Sequence, residues 1–591
     1  MQGFHGCYER IDLSTGRSRR IPIPERILRR YLGGVGLGSW ILHCESTPGT
    51  DPLAPSSPLI FSFSPLVGTR LTTSAKFAVV AKSPLTGYLC DALSSSDFAV
   101  AGKRRGIDAL VFVGRCPEPS QWVHGELQPT PFWGSSAAET EQGLRSQGSV
   151  AAIGLAGENQ VRFATISNDG RHAGRGGLGA VMGSKRLKAI VVGGDIETRV
   201  FDPARMSEIS RSLSIRSKGN ATARYREQGT LSNLATFNRL AVLPTRNFRQ
   251  GRFEGAETLE TLAPGGSRKH ERASCAHCTI GCEHRYGDDK TVRLEYESLF
   301  ALGPLCAVAD PDSVLAAAQR CDQWGLDTVS AGGTLAFAME CVERGHLDPS
   351  LAPRFGDGEG LLRALDDIAH RRGIGKLLAE GSRLAALAIG GQTLDFAPQV
   401  KGLEMPGYEP RALQAMALGF AVSTRGADHN RSSAYEVDFS GERPRLRGDK
   451  QTARLASATE NRAAVLDSLI LCKFLRGVFE DFYTEAAEIC TAVTGWPIDA
   501  DELERIGERV CNLRKAFNIR EGWTADQDTL PERFFCETLQ DGASSGAHLP
   551  RERLQEMMES YYEARGWTAT GHLPPDTLRQ IASDLGAGET A

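Results

Sequence analysis

Three cysteines within eight residues carry the strongest chemical signal of this sequence. Cys275, Cys278 and Cys282 form a CxxCxxxC pattern. On a tight loop, thiolates at this spacing can bind three corners of an iron–sulfur cube, and the fourth corner then needs another ligand. Zinc is an alternative, with His277 or His284 supplying a nitrogen, although structural zinc sites usually pair two CxxC-type knuckles. Unligated core cysteines are the third possibility.

Two other segments share a spacing that predicts two similar ligand-holding loops. Asp322 and Asp467 each precede a leucine by four residues, Leu326 and Leu471 respectively. Cys472 ends the second segment, so it is the candidate for the fourth thiolate. The alternative is that each segment is an ordinary helix end followed by a new N-cap.

Residues 174–179 (GRGGLG) match the G-x-G-x-x-G pattern of dinucleotide-binding turns, and Asp195 follows about twenty residues later. In that fold the glycines directly follow a strand, whereas residues 168–173 separate them here from the strand expected over 161–166. The glycines are also compatible with a close backbone approach to another phosphate-bearing cofactor, or with a plain turn.

Glu297 and His429 are the best candidates for acid–base chemistry. Glu297 ends the motif 295–297 (EYE), and His429 lies within 425–431 (RGADHNR). Histidine titrates near neutrality, and a carboxylate beside a metal centre can exchange protons with it. Taken alone, each would more often be a structural or solvated residue.

Length and composition limit the class of protein. The chain has 591 residues, of which 41% are hydrophobic and 24% charged, and its net charge is −4. Several domains are expected, because single cores stop growing at about 250–300 residues. The charge balance argues against nucleic acid as a main partner, and no apolar run predicts a signal core or a membrane span. We therefore expect a cytoplasmic protein whose 14 cysteines are ligands or buried thiols.

The elements that position these residues change type along the chain. Short apolar runs such as 58–63 and 109–113, separated by Gly, Ser and Pro clusters, predict strands. From about residue 203 the apolar spacing becomes helical, as in 311–324 and 333–343, and a second change falls near 398–410. We predict an α+β fold with a β-rich domain over 1–200 and two mainly α-helical domains over 201–398 and 399–591.

These motifs, in this order, resemble the aldehyde:ferredoxin oxidoreductase family, tungsten or molybdenum enzymes with a bis-pterin cofactor and an adjacent 4Fe–4S cluster. The resemblance runs nearly end to end. Its most characteristic segment is 174–185 (GRGGLGAVMGSK), and it includes the strand and turn of 8–16, the glycine-rich segment 32–38 and the tail 561–567.

The resemblance implies a role for each matching residue. The expected cluster ligands are Cys275, Cys278, Cys282 and Cys472. The residues expected around the two pterins are Asp322, Leu326, Asp327, Thr328, Asp467 and Leu471, with Ser95 nearby and Lys76 and Arg431 as the phosphate-binding cations. A Mg2+ ion that bridges the pterin phosphates is expected beside Leu93, Arg171, His172, Ala173 and Gly174. The expected catalytic residues are Glu297, as a base, and His429, as a hydrogen-bond partner of the substrate oxygen or of the oxygen at the metal.

The sequence also departs from the family pattern. Ile470 occupies a position that is usually glycine, so the local backbone must differ or tolerate a Cβ. Serines occupy 95–96 in place of a double glycine, and residues 316–319 lack the Glu-x-x-His motif of a subunit-bridging iron. Lys473 and Arg476 follow the fourth cysteine; they either favour an anionic substrate or form a solvated charged face, which is the preferred interpretation.

The default reaction of the family is the oxidation of an aldehyde to a carboxylate, with electrons passed to ferredoxin or to an iron–sulfur partner subunit. Family relatives that reduce an aromatic acyl-thioester ring provide an alternative, and an electron-transfer or scaffold subunit without pterin chemistry provides another. A nicotinamide dehydrogenase built on the GRGGLG segment is a further hypothesis, which predicts tight nucleotide binding. Homo- or hetero-oligomers are compatible with the sequence.

Overall fold

The computed structural model describes residues 1–263, 265–287 and 292–586. The N-terminal part is built around two β-sheets and helices dominate the remainder, so the α+β prediction is confirmed. The domain boundaries remain a prediction, because one continuous apolar core includes residues from Phe4 to Ile581.

The first sheet contains the six N-terminal strands. These strands are β1 (Cys7–Asp12), β2 (Arg17–Pro22), β3 (Leu59–Ser62), β4 (Lys76–Lys82), β5 (Leu89–Ser95) and β6 (Ala109–Val113). They lie in the order β2-β1-β6-β3-β4-β5, and β1 is parallel to β6. Strands β3 and β6 are buried along their whole length, which explains their unbroken apolar runs.

The second sheet follows in the chain. Its strands are β7 (Ser120–Val123), β8 (Glu126–Pro129), β9 (Ser149–Ala152), β10 (Ile166–Asn168), β11 (Arg171–Ala173) and β12 (Leu187–Val192), in the order β11-β10-β9-β12-β7-β8. Two small antiparallel sheets lie further on, formed by β13 (Glu271–Ala273), β14 (Glu283–Tyr286) and β15 (Val292–Arg293), and by β16 (Gln399–Val400) and β17 (Leu403–Glu404).

Helices connect and cover these sheets. Up to the second small sheet they are α1 (Glu25–Tyr31), α2 (Gly34–Glu45), α3 (Asp97–Lys103), α4 (Ala137–Leu144), α5 (Leu155–Glu158), α6 (Leu178–Ser184), α7 (Pro203–Arg216), α8 (Asn220–Gln228), α9 (Asn233–Arg239), α10 (Ala256–Leu259), α11 (Tyr296–Leu302), α12 (Pro311–Trp324), α13 (Thr328–Glu343), α14 (Gly358–His370), α15 (Gly375–Leu378) and α16 (Ser382–Ile389). The later helices are α17 (Gln414–Val422), α18 (His429–Ser432), α19 (Tyr435–Phe439), α20 (Lys450–Leu469), α21 (Phe482–Thr494), α22 (Ala500–Arg520), α23 (Arg533–Cys536), α24 (Arg551–Ala564) and α25 (Pro575–Asp584).

Helix α2 joins the first sheet to the C-terminal helices, because it packs against β4 on one side and α20 on the other. Gly38 permits the close contact with the sheet, since a Cβ there would lie 2.6 Å from Cγ2 of Val80. Across the described part of the chain, no helix combines the length and the apolar character that a membrane crossing requires.

Candidate active site

The four cysteines lie on two segments that meet at the loop before β4. The cysteine loop (residues 275–282) connects β13 to β14, and Cys472 follows α20. Thr73 joins the two segments: its backbone N–H donates to the His277 carbonyl at 2.8 Å, and its Oγ1 accepts the N–H of Cys472 at 3.2 Å. Sequence analysis did not identify Thr73, because a threonine 399 residues from Cys472 carries no motif.

Lys76, the first residue of β4, lies against the cysteines. Burial alone acts to lower the pKa of Lys76, but Cys472, Cys275 and Cys278 as thiolates raise it above its usual value. A hydrogen bond with Cys278, followed by the charges of Arg171 and Lys76, lowers the pKa of Cys275. Thiolate is the form that binds metals. The positive charge of Lys76 therefore suits a site in which several thiolates lie close together.

The described side chains form no preassembled site for a single metal ion. Within the described ranges, no three His, Cys, Asp or Glu side chains lie close enough to share one metal ion. Zinc would require four ligands about 2.0–2.3 Å from a single point, whereas the corners of an iron–sulfur cube are separate iron atoms. Of the two histidines in the zinc alternative, His277 is exposed to solvent, whereas His284 is buried and neither of its ring nitrogens has a hydrogen-bond partner among the described residues.

The first aspartate segment is a helix end followed by a helix start, as one interpretation of the sequence predicted. Gly325 caps α12 in the left-handed conformation, with φ 75° and ψ 49°. The N–H of Leu326 returns to the Cys321 carbonyl at 2.8 Å, which closes a Schellman-type turn. Asp327 then caps α13 by accepting the N–H two residues further on, at 3.1 Å. The capping role and a place in the site are compatible, because the same turn borders the cavity described below.

The second aspartate segment has the same geometry without the glycine. Ile470 caps α20 with φ 61° and ψ 39°, again left-handed. The N–H of Leu471 returns to the Leu466 carbonyl at 2.9 Å. This conformation costs a residue with a Cβ roughly 1–2 kcal/mol. Ile470 therefore departs from the family pattern in residue type, but its backbone has the same left-handed conformation as Gly325.

Gly34, at the start of α2, makes room for this turn. A Cβ on Gly34 would lie 2.4 Å from the Asp467 carbonyl and 2.7 Å from Cγ1 of Ile470. Nearby, the N–H of Gly36 donates to Oγ of Ser468 at 3.2 Å. The glycine-rich segment 32–38 is thus the platform on which the second aspartate segment rests.

One cavity of about 780 Å³ connects the two aspartate segments with Cys472. Its walls include most residues that the resemblance implicated: Lys76, Leu93, His172, Gly174, Glu297, Asp322, Leu326, Asp327, Thr328, His429, Arg431, Asp467, Leu471 and Cys472. Among the residues expected around the pterins and the Mg2+ ion, three do not line the cavity. Ser95 donates to the Ala75 carbonyl at 3.1 Å, Arg171 pairs with Glu283, and Ala173 is buried in β11.

The glycines of 174–179 serve close backbone packing. Gly177 precedes α6 with φ 78°, and a Cβ there would lie 1.9 Å from the Arg162 carbonyl. A Cβ on Gly179 would lie 2.3 Å from the Thr165 carbonyl. Strand β11 does directly precede Gly174, but β11 and β12 are not neighbours in the sheet. The topology is therefore not the parallel βαβ unit of a dinucleotide-binding fold.

Glu297 enters the cavity from the first turn of α11. Its Oε2 accepts the N–H of Gly407 at 3.0 Å, whereas its Oε1 is buried with no hydrogen-bond partner in the described residues. Burial raises the pKa of Glu297 to about 7. A carboxyl group that titrates near neutrality can both take up and release a proton at physiological pH.

His429 faces Glu297, with its Nε2 3.7 Å from Oε1 of the carboxyl group. Asp428 caps α18 and accepts the N–H of Asn430 at 2.8 Å, which sets the backbone here. The Asn430 amide lies 2.8 Å from Nε2, and Tyr408 stacks on the imidazole at 5.1 Å. Nδ1 is buried without a partner among the described residues, and burial lowers the pKa of His429 to about 3. The imidazole is therefore neutral and held in place on two sides.

A buried ion-pair network, which sequence analysis missed, supports both aspartate segments. Arg431 lies 2.6 Å from Asp467 and 2.6 Å from Asp91 on β5. Arg175 lies 3.2 Å from Asp327. Arg175 stands inside the GRGGLG motif, so its position offered a signal, whereas Asp91 lies in no recognisable pattern.

Aromatic side chains line the rest of the cavity: Tyr225, Phe237, Tyr296, Tyr408, Tyr435, Phe439 and Phe474. Lys473 and Arg476 line it too, and their side chains are only 14% and 17% exposed. The solvated-face interpretation of these two cations is therefore wrong. Lys473 lies 3.4 Å from Asp467, and Arg476 donates to the Tyr435 hydroxyl at 2.7 Å.

Comparison with known proteins decides the family. The family model described as "aldehyde ferredoxin oxidoreductase, N-terminal domain" matches residues 8–194. The model described as "aldehyde ferredoxin oxidoreductase, domains 2 & 3" matches residues 208–582. The chain belongs to the aldehyde ferredoxin oxidoreductase family. It is an oxidoreductase of this family, as the resemblance predicted.

Full-length relatives support this assignment. The tungsten-containing aldehyde ferredoxin oxidoreductase of Pyrococcus furiosus is 36% identical over 609 residues, covering 98% of this chain and 99% of the relative. The protein of the same name from Thermococcus kodakarensis is 35% identical over 616 residues and covers 100% of both chains. A chain of the active-site complex BamBC of benzoyl coenzyme A reductase, solved with 1,5-dienoyl-CoA, superposes with a TM-score of 0.84 at 23% identity, covering 99% of this chain and 98% of that one. This last similarity shows a shared fold.

Proposed function

We propose that this oxidoreductase converts an aldehyde to a carboxylate at a tungsten or molybdenum bis-pterin centre. A 4Fe–4S cluster held by Cys275, Cys278, Cys282 and Cys472 would pass the electrons on to ferredoxin or to an iron–sulfur partner subunit. The reaction balances as RCHO + H2O → RCOO− + 3 H+ + 2 e−. The observation that carries the proposal is that Glu297 and His429 meet inside the cavity that both aspartate segments and Cys472 line.

The cysteines fit a cluster in their chemistry and surroundings. Cys275, Cys278, Cys282 and Cys472 offer four thiols on two segments that Thr73 connects. Thiolates are the usual ligands of such clusters, and their negative charge is balanced by the nearby lysine of β4. Since Cys472 also borders the cavity, a cluster here would lie beside the pterin site.

The aspartate segments fit two pterins in the same way. Asp322 and Asp467 offer carboxylate oxygens from equivalent positions of two turns with the same backbone geometry. Lys76 and Arg431 border the cavity and suit phosphate groups. For the Mg2+ ion, carbonyl oxygens of the Leu93 strand and of the 171–174 segment are ligands of the preferred hard type.

The protein side chains would handle protons and orientation. When bound, the tungsten or molybdenum centre accepts two electrons and polarises the aldehyde oxygen. Glu297 takes a proton on its unpaired Oε1 from the water that supplies the second oxygen of the product. His429, neutral and fixed by Asn430 and Tyr408, orients the substrate oxygen by a hydrogen bond.

Replacement of Glu297 by glutamine tests this function. The amide keeps the shape and the hydrogen bond to Gly407 but cannot act as a base. Turnover should fall by about 10²–10⁴-fold, with tungsten or molybdenum, pterin and iron contents unchanged. The measurement is aldehyde-dependent reduction of benzyl viologen by metal-quantified protein, with aromatic acyl-thioesters assayed in parallel.

Glu404 provides the matched control. Like Glu297, it is a buried carboxyl whose pKa is raised by burial, it accepts one backbone N–H, from Ser382 at 2.8 Å, and its other oxygen has no partner among the described residues; unlike Glu297, it does not line the cavity. Glu404→Gln should stay within a few-fold of wild type. An unaffected Glu297→Gln would remove Glu297 as the base. A fully loaded wild-type protein that turns over no aldehyde would contradict the proposed function and favour the acyl-thioester or the electron-transfer alternative.

A further inference from the structure

A group of cations lies on the chain segments next to the cysteine loop. We call it the basic rim; it consists of Arg70, Lys218, Arg226 and Arg272. Three of these side chains are exposed, and Arg226 is half-buried. The rim comes from three separate stretches of chain, so no sequence motif indicates it.

Hydrogen bonds bring these stretches to the cysteine loop. Thr279, inside the loop, contacts the hydroxyls of Thr72 and Ser217, each at 2.6 Å. Arg70 lies two residues before the first of these partners, and Lys218 directly follows the second. Both cations therefore belong to segments that contact the loop with three of the expected cluster ligands.

Arg272 lies across the loop itself. Its Nε is 3.6 Å from where a Cβ of Gly281 would lie, one residue before Cys282. Its Nη1 donates to the Arg226 carbonyl at 3.5 Å, and Arg226 in turn donates to the Lys218 carbonyl. Three members of the rim thus form a chain of contacts along the edge of the loop.

The rim has an excess of positive charge. Arg226 and Arg272 donate to backbone carbonyls, and within the described ranges no ion pair joins any of the four side chains to a carboxylate. Glu227 and Glu271 are the carboxylates of the adjoining stretches 218–228 and 269–274, which also hold Arg224 and Lys269. Unpaired, exposed cations of one sign favour encounters with a partner of opposite charge.

We propose that the basic rim docks the acidic face of a small one-electron iron–sulfur carrier. Docking at this edge would bring the carrier's centre to the cysteine loop, where a cluster held by the four cysteines would supply one electron at each encounter. Two encounters then complete one aldehyde oxidation. Transient redox partners use small, charged interfaces, which a rim of four cations suits. The inference rests on the proposed function for its source of electrons.

Charge reversal tests the docking surface. The variants are Lys218→Glu, Arg272→Glu and their combination, assayed with a 2Fe–2S plant-type ferredoxin of net negative charge. At low ionic strength, each single reversal should lower the second-order rate of ferredoxin reduction by about tenfold, because such steering changes association rates by about 10–10³-fold. The differences should shrink at about 0.5 M salt, as screening predicts. Isothermal calorimetry with oxidised ferredoxin should show a matching loss of affinity without any turnover.

Lys450→Glu is the matched control. Lys450 is also exposed, and it begins α20, whose other end leads to Cys472. Twenty helical residues place it about 30 Å from that end. This variant should behave as wild type, and all variants should keep their iron content and their rate with benzyl viologen. Cytochrome c, a basic one-electron acceptor, should not lose rate with the reversed variants.

The outcomes separate the docking surface from the reaction. Unchanged ferredoxin rates and affinities in the combined variant, with normal viologen turnover, would overturn the rim and leave the proposed function in place. A wild-type protein without aldehyde turnover whose ferredoxin affinity still falls on charge reversal would reject the reaction and keep the rim. An equal loss with cytochrome c, or the loss of a permanent subunit complex, would overturn the assignment to an acidic carrier.

Discussion

At the scale of single residues, burial beside the same cavity shifts the pKa values of Glu297 and His429 in opposite directions. Burial disfavours the charged form, so it raises the pKa of Glu297 to about 7 and lowers the pKa of His429 to about 3. Each side chain also keeps one buried polar atom without a partner among the described residues, Oε1 and Nδ1 respectively. Buried polar atoms are nearly always satisfied. A substrate bound between them would supply the partners that these two atoms lack, as the proposed function requires.

The pH dependence of turnover should follow Glu297. The carboxylate is the active base, so kcat should fall as pH drops through about 7 and reach a plateau above it. His429 should add no limb above pH 5, because it stays neutral there. The measurement is a pH profile of aldehyde oxidation between pH 5 and 9, for wild type and Glu297→Gln. A limb that survives in the variant would point to Lys473, whose pKa is lowered to about 8 by burial.

At the scale of elements, the site is built from two helix C-termini with the same left-handed cap. In one the cap is Gly325, in the other Ile470, and the hydrogen bonds that close the two turns correspond. The isoleucine is tolerated because Gly34 leaves space beside it. The sequence revealed the shared spacing, but it did not reveal that an isoleucine can hold the glycine conformation, since that depends on a helix more than four hundred residues away.

Ile470→Gly should destabilise the protein even though it restores the family residue. Glycine relieves roughly 1–2 kcal/mol of left-handed strain. Ile470 is fully buried, however, and removal of such a side chain costs about 2–5 kcal/mol. The lost packing outweighs the relieved strain, so the free energy of unfolding should fall by about 1–3 kcal/mol. Urea titration followed by circular dichroism measures this, and a more stable variant would show that strain dominates at this cap.

Thr73 should control how firmly a cluster is held. Thr73→Ala removes the acceptor for the Cys472 N–H, a bond worth about 0.5–1.5 kcal/mol. Iron release to a chelator should accelerate by about fivefold or more, whereas Thr73→Ser should restore wild-type behaviour. Cys472→Ala is the reference for a lost ligand, and Cys341→Ala is a control, since Cys341 lies buried in α13 away from the site. Equal release from Thr73→Ala and wild type would mean that the two segments are held by other contacts.

At the scale of the whole molecule, the sequence predicted local secondary structure, but it did not predict contacts between segments that are far apart in the chain. Strand 109–113 and helix 311–324 agree with the structure because their apolar patterns are regular. The strand expected over 161–166 is wrong in its bounds; β10 and β11 form a hairpin instead. Helix α13 begins five residues before the expected Gly333, since Gly332 serves close packing against the Ala301 carbonyl and does not break the helix. The contacts that assemble the site join segments hundreds of residues apart, which no periodicity encodes.

This assembly predicts a graded response to cofactor removal. A ligand that binds only the folded state stabilises the segments it touches, and local opening differs between parts of a protein. In cofactor-free protein, amide hydrogens of 275–282 and 470–476 should exchange at least about tenfold faster than in the loaded form. Strands β3 and β6 should exchange at the same rate in both, because their packing is apolar and neither strand lines the cavity. Hydrogen-exchange mass spectrometry of matched preparations measures both regions at once. Equal acceleration everywhere would mean that the cofactors stabilise the global fold; no change at the cysteine loop would mean that the protein forms that part of the site without them.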